Sequence, residues 1–502
     1  MFELSIIKAF SNHKDRPCLC VDNRIISYNE FKTYVSYVQS IISASRCSGT
    51  CIGIVMHNDI TTYASIIASL LSGSAYFIIN PDIPIARNDY IIKTAKADLI
   101  LSSKHNHEIK DIASLKGVPF VTTEKTPECE ESSELMLVER SSDDLAYILF
   151  TSGSTGVPKG VQISTGNLDA FVESYLQLGI NMDDTDKVLQ MFDLTFDVSV
   201  AMFVIPLLSG SCTYPVQSGD VKYMSAFKLA IRDELTVLCL VPSMLTYLRR
   251  YFDEINLCSV RLCILTAEAS VYDIVSEWSR CIPNAQIWNL YGPTEATIWS
   301  LAYRWKPADS REYTYNSMIP IGKPLKNVNI AVVGADALNV NETNVKGELY
   351  LSGPQVSCGY LNDQTTTLRS FITDNDTGKI FYKTGDLVYY NENWDIQYCG
   401  RIDHQVQIQG YRVELSEIEH HSRQFSNSGN VVAIGWENQA NVQTIVLFVE
   451  KANSETEVVI DHLKSVLPYY MIPSRIICLD VFPLNNSSKV DRKRLENQLN
   501  AL

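Results

Sequence analysis

A glycine-rich loop directly after an apolar run constrains the fold of this chain more than any other segment. Residues 145–150, LAYILF, are almost entirely apolar and predict a buried strand. Residues 151–160, TSGSTGVPKG, add three glycines, four hydroxyl side chains and Lys159. Glycine lets backbone amides converge on an anion, and hydroxyls and a lysine supply further donors. The segment therefore predicts a phosphate-binding loop, although by itself it also fits a flexible turn.

This loop differs from two common phosphate-binding motifs. A Walker loop needs a Gly-Lys-Ser/Thr ending, whereas Lys159 here precedes Gly160. The GxGxxG pattern of dinucleotide-binding folds is also absent from the loop. We therefore expect the predicted phosphate-binding loop to belong to a fold other than the P-loop and dinucleotide-binding folds.

Bulk composition narrows the class of protein. The chain has 502 residues, which is longer than a chain with a single hydrophobic core normally is, so we expect two or more domains. Hydrophobic residues make up 46% of it, an ordinary composition for a globular protein. A net charge of −15 without a long basic cluster argues against nucleic acid and anionic membranes as partners. We find no apolar run of membrane-spanning length and no signal-peptide pattern, so we expect a cytoplasmic protein. The thirteen scattered cysteines lack zinc-site spacing and predict reduced thiols.

Helical and strand patterns alternate over the first 400 residues. A helix is predicted at 62–71, and strands at 97–102, 235–241 and 260–266. Such alternation is typical of an α/β fold with parallel sheets wrapped by helices.

The pattern changes in the last hundred residues. Strands are predicted at 405–409, 431–436 and 444–449, and helices at 415–424 and 455–466. These elements predict a small α+β unit. We place the boundary at 401–403, which gives domains of 1–400 and 404–502.

Four further segments match sequence motifs of one protein family, and they occur in the same order as in that family. They are FDVSV at 196–200, NLYGPTE at 289–295, YKTGD at 382–386 and NNSSKVDRK at 485–493. With the loop, they make the chain resemble the adenylate-forming superfamily of acyl-CoA synthetases, luciferases and nonribosomal-peptide adenylation domains, and in particular its amino-acid-activating branch. The resemblance implies a large N-terminal domain of parallel sheets with a distorted β-barrel subdomain. It also implies a small mobile α+β C-terminal lid domain, which turns about a hinge at Asp403.

The resemblance further implies ATP and Mg²⁺ as cofactors and assigns roles to individual residues. The nucleotide contacts would be Thr151, Ser152, Gly153, Ser154, Thr155, Gly156, Lys159, Asn289, Tyr291, Asp386 and Arg401. Among these, Tyr291 would face the adenine and Asp386 would accept the ribose hydroxyls, with Arg401 close to the ribose and the hinge. The catalytic residues would be Thr294 at the phosphate, Glu295 as the magnesium ligand and Lys489 at the reacting carboxylate.

Charge explains why these residue types suit the reaction. A substrate carboxylate is ionised at neutral pH and needs no general base to attack the α-phosphorus of ATP. The obstacle is the meeting of two anions, which a metal ion on Glu295, the loop amides and Lys489 would relieve. The products would be an acyl adenylate and pyrophosphate, and a thiol would then attack the adenylate. The chain departs from the family at Ser488, where glycine is usual, and at Gln407 and Gln409, where basic residues are common. The missing charges predict a different handling of the thiol partner.

Asp197 indicates which acid is activated. The resemblance pairs an aspartate at this position with the α-ammonium group of an amino acid, although Asp197 also fits a helix N-cap. The implied pocket wall is Val198, Ala201, Cys239, Ile264, Thr266, Leu290, Ile298 and Trp299, and Lys489 would hold the carboxylate end. Because the wall carries no further charge and Trp299 fills volume, we expect a small neutral amino acid, with glycine, cysteine, serine and alanine all open.

The implied partner is a separate phosphopantetheinylated carrier protein, because little sequence follows residue 495 and we expect a stand-alone enzyme. In this respect the chain resembles D-alanine:D-alanyl carrier protein ligases and other aminoacyl carrier protein ligases. Two alternatives stay open. One is an acyl-CoA ligase for a non-amino acid, and the other is a binding protein that has lost catalysis.

Overall fold

The structure is a computed structural model. It describes residues 2–45, 51–124, 134–153, 156–217, 222–307, 311–335, 339–340, 342–437, 442–484 and 490–499. Three predicted site residues, Ser154, Thr155 and Lys489, lie outside these ranges. Within the ranges, every helix is too short or too polar to cross a bilayer.

Helices and strands alternate along most of the chain. The helices are α1 (Phe2–Asn12), α2 (Tyr28–Ala44), α3 (Ile60–Leu71), α4 (Ile85–Ala95), α5 (His107–Leu115), α6 (Thr165–Leu176), α7 (Asp197–Ser209), α8 (Lys222–Arg232), α9 (Pro242–Leu248), α10 (Tyr272–Cys281), α11 (Gln364–Ser370), α12 (Leu415–Ser422), α13 (Thr456–Val466) and α14 (Arg492–Leu499). Short 3₁₀ turns cover Arg249–Tyr251, Thr294–Ala296, Arg423–Phe425 and Tyr469–Met471.

The strands show the same alternation. They are β1 (Pro17–Val21), β2 (Arg24–Ser27), β3 (Cys51–Val55), β4 (Ala75–Ile79), β5 (Leu99–Ser102), β6 (Phe120–Thr122), β7 (Leu145–Thr151), β8 (Lys159–Ser164), β9 (Lys187–Gln190), β10 (Cys212–Pro215), β11 (Val237–Leu240), β12 (Leu262–Thr266), β13 (Gln286–Tyr291), β14 (Leu301–Arg304), β15 (Lys323–Pro324), β16 (Asn329–Val333), β17 (Gly347–Ser352), β18 (Phe371–Thr373), β19 (Ile380–Tyr390), β20 (Ile396–Arg401), β21 (Gln405–Ile408), β22 (Tyr411–Glu414), β23 (Val431–Glu437), β24 (Gln443–Glu450) and β25 (Arg475–Leu479).

Two largely parallel sheets form the centre of the fold, which confirms the predicted α/β class. One has the order β15-β14-β13-β12-β11-β9-β10-β1-β2, and the other has the order β6-β5-β3-β4-β7-β8. Their strands read as continuous apolar runs because helices cover both faces. Helix α3 is buried along nearly its whole length, and Asp59 caps its first turn by accepting a hydrogen bond from the Thr62 amide at 2.9 Å.

An antiparallel sheet follows in the chain, where the resemblance implies a distorted barrel. Its strands pair in the order β16-β17-β19-β18, and β20 also pairs with β19. The pairing sets Asp386 of β19 opposite Arg401 of β20. Two residues predicted to bind the ribose are thereby held side by side.

The C-terminal residues contain both helices and strands, close to the predicted positions. A hairpin of β21 and β22 precedes a three-stranded sheet in the order β23-β24-β25. Its apolar side chains form their own clusters, distinct from the cluster that runs from Phe2 to Ile396. The hinge at 401–403 and the mobility of this unit stay predictions.

The eleven cysteines within the described ranges are free, and six of them are buried. Five of the buried thiols lie in strands of the nine-stranded sheet, at Cys18, Cys20, Cys212, Cys239 and Cys263. They act as small apolar side chains of the core.

The site lies at the carboxyl edge of the nine-stranded sheet. Strands β11, β12 and β13 are parallel neighbours, with Cys239 opposite Ile264 and Thr266 opposite Leu290. Ligands of open α/β sheets bind beyond the carboxyl ends of such strands. Asp197 joins this edge because α7 begins shortly after β9 ends.

Candidate functional site

The predicted phosphate loop connects β7 and β8, which pair as an antiparallel hairpin with Thr151 opposite Lys159. Glycine is required at two positions. A Cβ on Gly153 would lie 1.9 Å from the Val157 carbonyl oxygen, and Gly156 has a φ of +86°. The Gly156 amide donates to the Gly153 carbonyl at 3.1 Å. The Gly153 amide donates to Glu417 Oε2 at 3.1 Å.

The turn after β13 also needs a glycine. A Cβ on Gly292 would meet the Ile298 carbonyl oxygen at 2.3 Å. Thr297 and Ile298 both have positive φ, at 56° and 72°, a conformation that is strained for β-branched residues. This strained segment carries the predicted pocket residues Ile298 and Trp299.

Gln355, which sequence reasoning missed, holds the strained segment in place. Its buried side-chain amide donates to the carbonyl oxygens of Trp299 at 2.8 Å and of Thr297 at 3.3 Å. Its backbone carbonyl accepts from the Thr297 hydroxyl at 2.6 Å. A glutamine so far away in sequence gives no signal of this role.

The residues predicted at the ribose come together around Asp386. Arg401 donates to Asp386 Oδ1 at 2.8 Å, and the Tyr291 hydroxyl donates to Oδ2. Burial raises the pKa of Asp386, and the Arg401 charge opposes that rise. Arg401 also donates to both carboxylate oxygens of Asp403, at 2.6 and 2.7 Å. The guanidinium therefore links the ribose position to the predicted hinge.

Gly385 and Asn289 help to place Arg401 and Tyr291 next to Asp386. Gly385 has a φ of +73°, and a Cβ there would lie 2.5 Å from the Arg401 guanidinium. Asn289 uses its side chain within the protein, donating to the Pro320 carbonyl at 2.8 Å and accepting from Ser270 at 3.0 Å. Asn289 thus supports the end of β13 in this structure.

Glu295 is a fully buried carboxylate with two strong partners. The Tyr360 hydroxyl donates to Oε1 at 2.7 Å, and Arg412 donates to Oε2 at 2.8 Å. Burial alone would raise the pKa of Glu295, but the Arg412 guanidinium and the Tyr360 hydroxyl hold it at about 2. The group is therefore ionised at all physiological pH values.

An ionised carboxylate beside a phosphate loop suits Mg²⁺, which binds through one or two carboxylates together with substrate phosphates. The described residues contain no cluster of three metal-ligating side chains, so phosphate oxygens would have to complete the coordination. In this structure Arg412 supplies the positive charge at Glu295.

Asp197 is another buried carboxylate of the site, and its hydrogen-bond partners differ from those of Glu295. It is the first residue of α7, and Phe196 occupies the N-cap position. Its Oδ2 atom is buried without a hydrogen-bond partner. Burial raises the pKa of Asp197 from 3.8 to about 6, although a hydrogen bond with Thr294 lowers it. An unpaired, buried carboxylate oxygen calls for a cationic ligand.

The residues predicted to form the pocket wall are all buried. They are Val198, Ala201, Cys239, Ile264, Thr266, Leu290, Ile298 and Trp299. The Trp299 indole donates to the Thr266 hydroxyl at 2.9 Å, and its ring lies 6.0 Å from both Phe171 and Tyr175. The Thr266 hydroxyl thus has a partner in the protein and fixes the largest side chain of the wall.

The β21–β22 hairpin and α12 reach into the site, which the sequence did not reveal. The hairpin contributes Arg412 to Glu295, and Glu414 to Lys159 at 3.4 Å. From α12, Glu417 accepts from the Gly153 amide at 3.1 Å. In the sequence these charged residues alternate with apolar ones, a pattern that any strand or helix with one solvent-exposed face shows, so it gave no sign of these contacts.

The hairpin turn is anchored as well. The Gly410 amide donates to Glu268 at 2.6 Å, and Glu268 also accepts from the amide and the hydroxyl of Ser243, at 2.7 and 3.0 Å. Burial raises the pKa of Glu268, which these hydrogen bonds oppose. Glu268 was not predicted either, because its partner lies more than a hundred positions away along the chain.

A pocket of about 450 Å³ lies between the hairpin and the large sheet. Its lining is mainly apolar and aromatic, from Met191, Phe192, Asp193, Phe196, Tyr223, Val241, Ser243, Met244, Tyr247, Gln409, Gly410, Tyr411 and Tyr469. It adjoins the start of α7, because Phe196 immediately precedes Asp197. Gln409, at which a basic residue is common in the family, forms part of this wall.

Comparisons with known sequences agree with the geometry. A family described as AMP-binding enzyme matches residues 7–361. Tyrocidine synthase 1 of Brevibacillus parabrevis is 30% identical over 490 residues, covering 96% of this chain and 43% of that protein. Tyrocidine synthase 3 of the same organism is 32% identical, covering 96% of this chain and 7% of that protein. The chain spans less than half the length of these curated relatives.

Solved structures share the fold. The Vibrio cholerae adenylation domain AlmE, in complex with glycyl-adenosine-5'-phosphate, matches with a TM-score of 0.86 at 24% identity, over 100% of this chain and 98% of that one. Holo-PA1221, a nonribosomal peptide synthetase protein containing adenylation and PCP domains, matches with a TM-score of 0.85 at 22% identity, over 99% of this chain and 84% of that one.

Replacing Gln355 tests how the strained segment is held. Gln355→Leu removes a buried donor from several carbonyl groups and should lower the free energy of unfolding by about 1–3 kcal/mol. Urea unfolding followed by tryptophan fluorescence measures the change. The control is Gln177→Leu, since Gln177 contacts only Glu173 on its own exposed helix face at 3.1 Å. Equal midpoints for the two variants would contradict the role given to Gln355.

Proposed function

We propose that this chain, which belongs to the family of AMP-binding enzymes, activates a small neutral amino acid and transfers it to the thiol of a carrier protein. The family match covers residues 7–361, and relatives at 30–32% identity cover 96% of the chain. The chain is therefore an adenylate-forming ligase of the nonribosomal-peptide type. The choice of acid and of acceptor is our proposal.

One observation carries the choice of an amino acid, namely the unpaired Oδ2 atom of Asp197. A buried carboxylate without a cation is unfavourable, and a substrate ammonium group would supply the missing charge. A carboxylic acid without an amino group would leave the carboxylate unsatisfied. The geometry thus favours an amino acid over a fatty or aryl acid.

The wall of the pocket favours a small side chain. Trp299 is fixed by the Thr266 hydroxyl and by two aromatic neighbours, so it cannot easily turn away. No wall residue other than Asp197 carries a charge, which disfavours charged side chains. The glycyl adenylate bound by AlmE, a structural neighbour, supports a ligand of this size.

The first step joins the substrate carboxylate to the α-phosphorus of ATP. A carboxylate oxygen forms the new P–O bond while the bond to the β-phosphate oxygen breaks, giving an aminoacyl adenylate and pyrophosphate. Asp197 would hold the ammonium end, Tyr291 the adenine, and Asp386 with Arg401 the ribose. Mg²⁺ on Glu295 would neutralise charge on the phosphates. Loop amides and Lys159 would orient the phosphates, together with Ser154, Thr155 and Thr294, and Lys489 would approach the carboxylate.

The second step transfers the acyl group to a thiol. The sulfur forms a thioester with the acyl carbon, the thiol proton is released, and AMP leaves. The pocket between the hairpin and the sheet suits a long acceptor arm such as phosphopantetheine, because its lining is largely apolar and includes Phe196, which immediately precedes Asp197. Holo-PA1221, which contains a PCP domain, supports a carrier protein as the source of that arm.

Gln407 and Gln409 make the acceptor side unusual. Gln409 lines the pocket and carries no charge, and the Gln407 Oε1 atom is buried without a partner. The hairpin therefore offers fewer positive charges to an anionic partner than the family pattern implies. We expect contacts elsewhere on the protein to hold the carrier protein.

ATP–pyrophosphate exchange tests the proposed reaction directly. The twenty amino acids, several aryl acids and short fatty acids are compared with the purified chain. We expect exchange with one or a few small neutral amino acids. Exchange only with an acid lacking an amino group would favour the acyl-CoA ligase alternative, and no exchange with any acid would favour a binding protein.

Asp197→Asn tests the ammonium contact. Loss of a buried charge pair should weaken amino-acid binding about 100-fold, while ATP affinity changes by less than about threefold. The variant should also lose the preference for the amino acid over its des-amino analogue. Calorimetry with each ligand measures both effects.

Asp193→Asn is the matched control, because Asp193 lies four positions earlier and accepts hydrogen bonds from Asn80 and Thr195 within the protein, both at 2.9 Å. Its amino-acid affinity should be close to that of the native chain. Equal losses of amino-acid and ATP affinity in Asp197→Asn would contradict the ammonium contact.

The pH dependence of amino-acid binding gives an independent test. Burial places the pKa of Asp197 at about 6 in the free protein, and only the ionised form pairs with ammonium. The dissociation constant should therefore be flat above about pH 7 and rise about tenfold per unit as the pH falls below the pKa. Asp197→Asn should bind weakly and without this slope. The same slope in that variant would assign the titration to another group.

A further inference from the structure

Three groups hold the Trp299 side chain, and two of them lie on one helix. The indole donates to the Thr266 hydroxyl at 2.9 Å, and its ring centroid lies 6.0 Å from those of Phe171 and Tyr175. Phe171 and Tyr175 are four positions apart on α6, with ring centroids 6.4 Å apart. Residues at this spacing share a helix face. Because Phe171, Tyr175 and Trp299 are all almost fully buried, their rings form one packed cluster.

The same face of α6 also holds the backbone of Trp299. Asn167 lies one turn before the two aromatic residues, and its side-chain amide donates to the carbonyl oxygens of Pro354 at 2.7 Å and Val356 at 3.0 Å. Pro354 and Val356 flank Gln355, whose side chain donates to the Trp299 carbonyl at 2.8 Å. The helix therefore contacts the Trp299 side chain directly and supports its backbone through Gln355.

Helix α6 is itself bound to its surroundings at two points. At its start, the Ser164 hydroxyl accepts from the Asn167 amide at 3.1 Å, and the Asn167 side chain accepts from the Ser164 amide at 2.9 Å. Near its end, the Ser174 hydroxyl donates to the Lys326 carbonyl at 2.6 Å. A helix bound at both ends resists a rigid-body shift, so its aromatic rings present a fixed surface to Trp299.

We propose that Phe171 and Tyr175 set the upper limit on the size of the substrate side chain, because they prevent Trp299 from moving back. The inference rests on the proposed function, since it takes Trp299 as part of the wall of the amino-acid pocket. Both residues lie outside the predicted wall and act through Trp299, so they are positioning residues.

Close packing explains how residues behind the wall limit the substrate. Protein interiors are packed as densely as organic crystals, and extra volume forced into them costs free energy. A branched or aromatic substrate side chain would push the indole toward two rings that are buried and held by α6. The hydrogen bond with Thr266 fixes only the indole nitrogen, whereas the two rings limit rotation of the whole indole plane.

The preference among amino acids tests this inference. Phe171→Leu replaces a ring beside Trp299 by a smaller side chain and should let the indole move back. The ratio of kcat/KM for leucine to that for the preferred small amino acid should rise at least about fivefold, since single methylene groups in an apolar pocket change discrimination about tenfold or more. The KM for ATP should change by less than about twofold, because the nucleotide contacts are untouched. ATP–pyrophosphate exchange measures these constants.

Phe10→Leu is the matched control for the loss of a buried ring. Phe10 is also almost fully buried, but its ring packs on those of Tyr28 and Phe31. The ratio of kcat/KM for the two amino acids should stay close to the native value in this variant.

Tyr175 tests the same limit independently of Phe171. Tyr175→Phe keeps the ring and removes a hydroxyl that has no hydrogen-bond partner among the described residues, so it should keep the native preference. Tyr175→Leu removes the ring and should relax the preference as Phe171→Leu does.

A double-mutant cycle with Trp299 separates this effect from a general loosening of the fold. Trp299→Leu removes the indole, which leaves Phe171→Leu nothing to release. Adding Phe171→Leu to that variant should therefore change the ratio of kcat/KM by less than about twofold. Circular dichroism and the urea midpoint report whether each variant is folded.

The outcomes distinguish this inference from the proposed function. An unchanged ratio in folded Phe171→Leu and Tyr175→Leu would overturn the inference, as would an equal rise in Phe10→Leu or an undiminished effect in the Trp299→Leu background. Exchange by the native chain with a small amino acid would stand in each of these cases. A native chain without amino-acid-dependent exchange would refute the proposed function, and the inference with it.

Discussion

A carboxylate that is buried without a counter-charge destabilises a protein unless a ligand completes it, and Asp197 is in that position. Its Oδ2 atom has no partner, and burial raises its pKa to about 6. The group is therefore half ionised near pH 6 and mainly ionised above about pH 7. A substrate ammonium group would favour the ionised form, so binding and ionisation reinforce each other.

The sheet topology brings the predicted amino-acid pocket and the residues predicted to bind the nucleotide to one edge of the nine-stranded sheet. Strands β11, β12 and β13 are parallel neighbours, and the segment after β13 carries Glu295 and Trp299. The strained residues Thr297 and Ile298 lie between these two positions. Strain of this kind persists only where neighbours enforce it, and Gln355 does so here.

The two buried carboxylates of the site differ because their surroundings differ. Glu295 has a guanidinium and a hydroxyl, which hold its pKa at about 2 despite burial. For Asp197 burial dominates the pKa, and the hydrogen bonds with Thr294 and the Val198 amide and the charge of Arg412 oppose it only in part. These surroundings are the basis for proposing a metal ion at Glu295 and an ammonium group at Asp197.

Local patterns predicted the strands and the glycine loop, and the family resemblance implied the turn with Tyr291 and Glu295 and the positions of Asp386 and Arg401 near the ribose. These features depend on residues close together in sequence or on motifs with fixed spacing. Gln355, Glu268, Arg412 and Glu417 were missed because their partners are far away along the chain. The part of Thr266 in fixing Trp299 was also missed, because a hydroxyl gives no sign of which atom it binds. The roles of Ser154, Thr155 and Lys489 stay predictions, since these residues lie outside the described ranges.

A crystal structure with a non-hydrolysable sulfamoyl analogue of the aminoacyl adenylate tests the central claim most directly. The account predicts that the ligand nitrogen lies within about 3 Å of Asp197 Oδ2, the distance of a charge-assisted hydrogen bond. A ligand whose nitrogen faces away from Asp197, or an Asp197 side chain that remains unpaired in the complex, would contradict it.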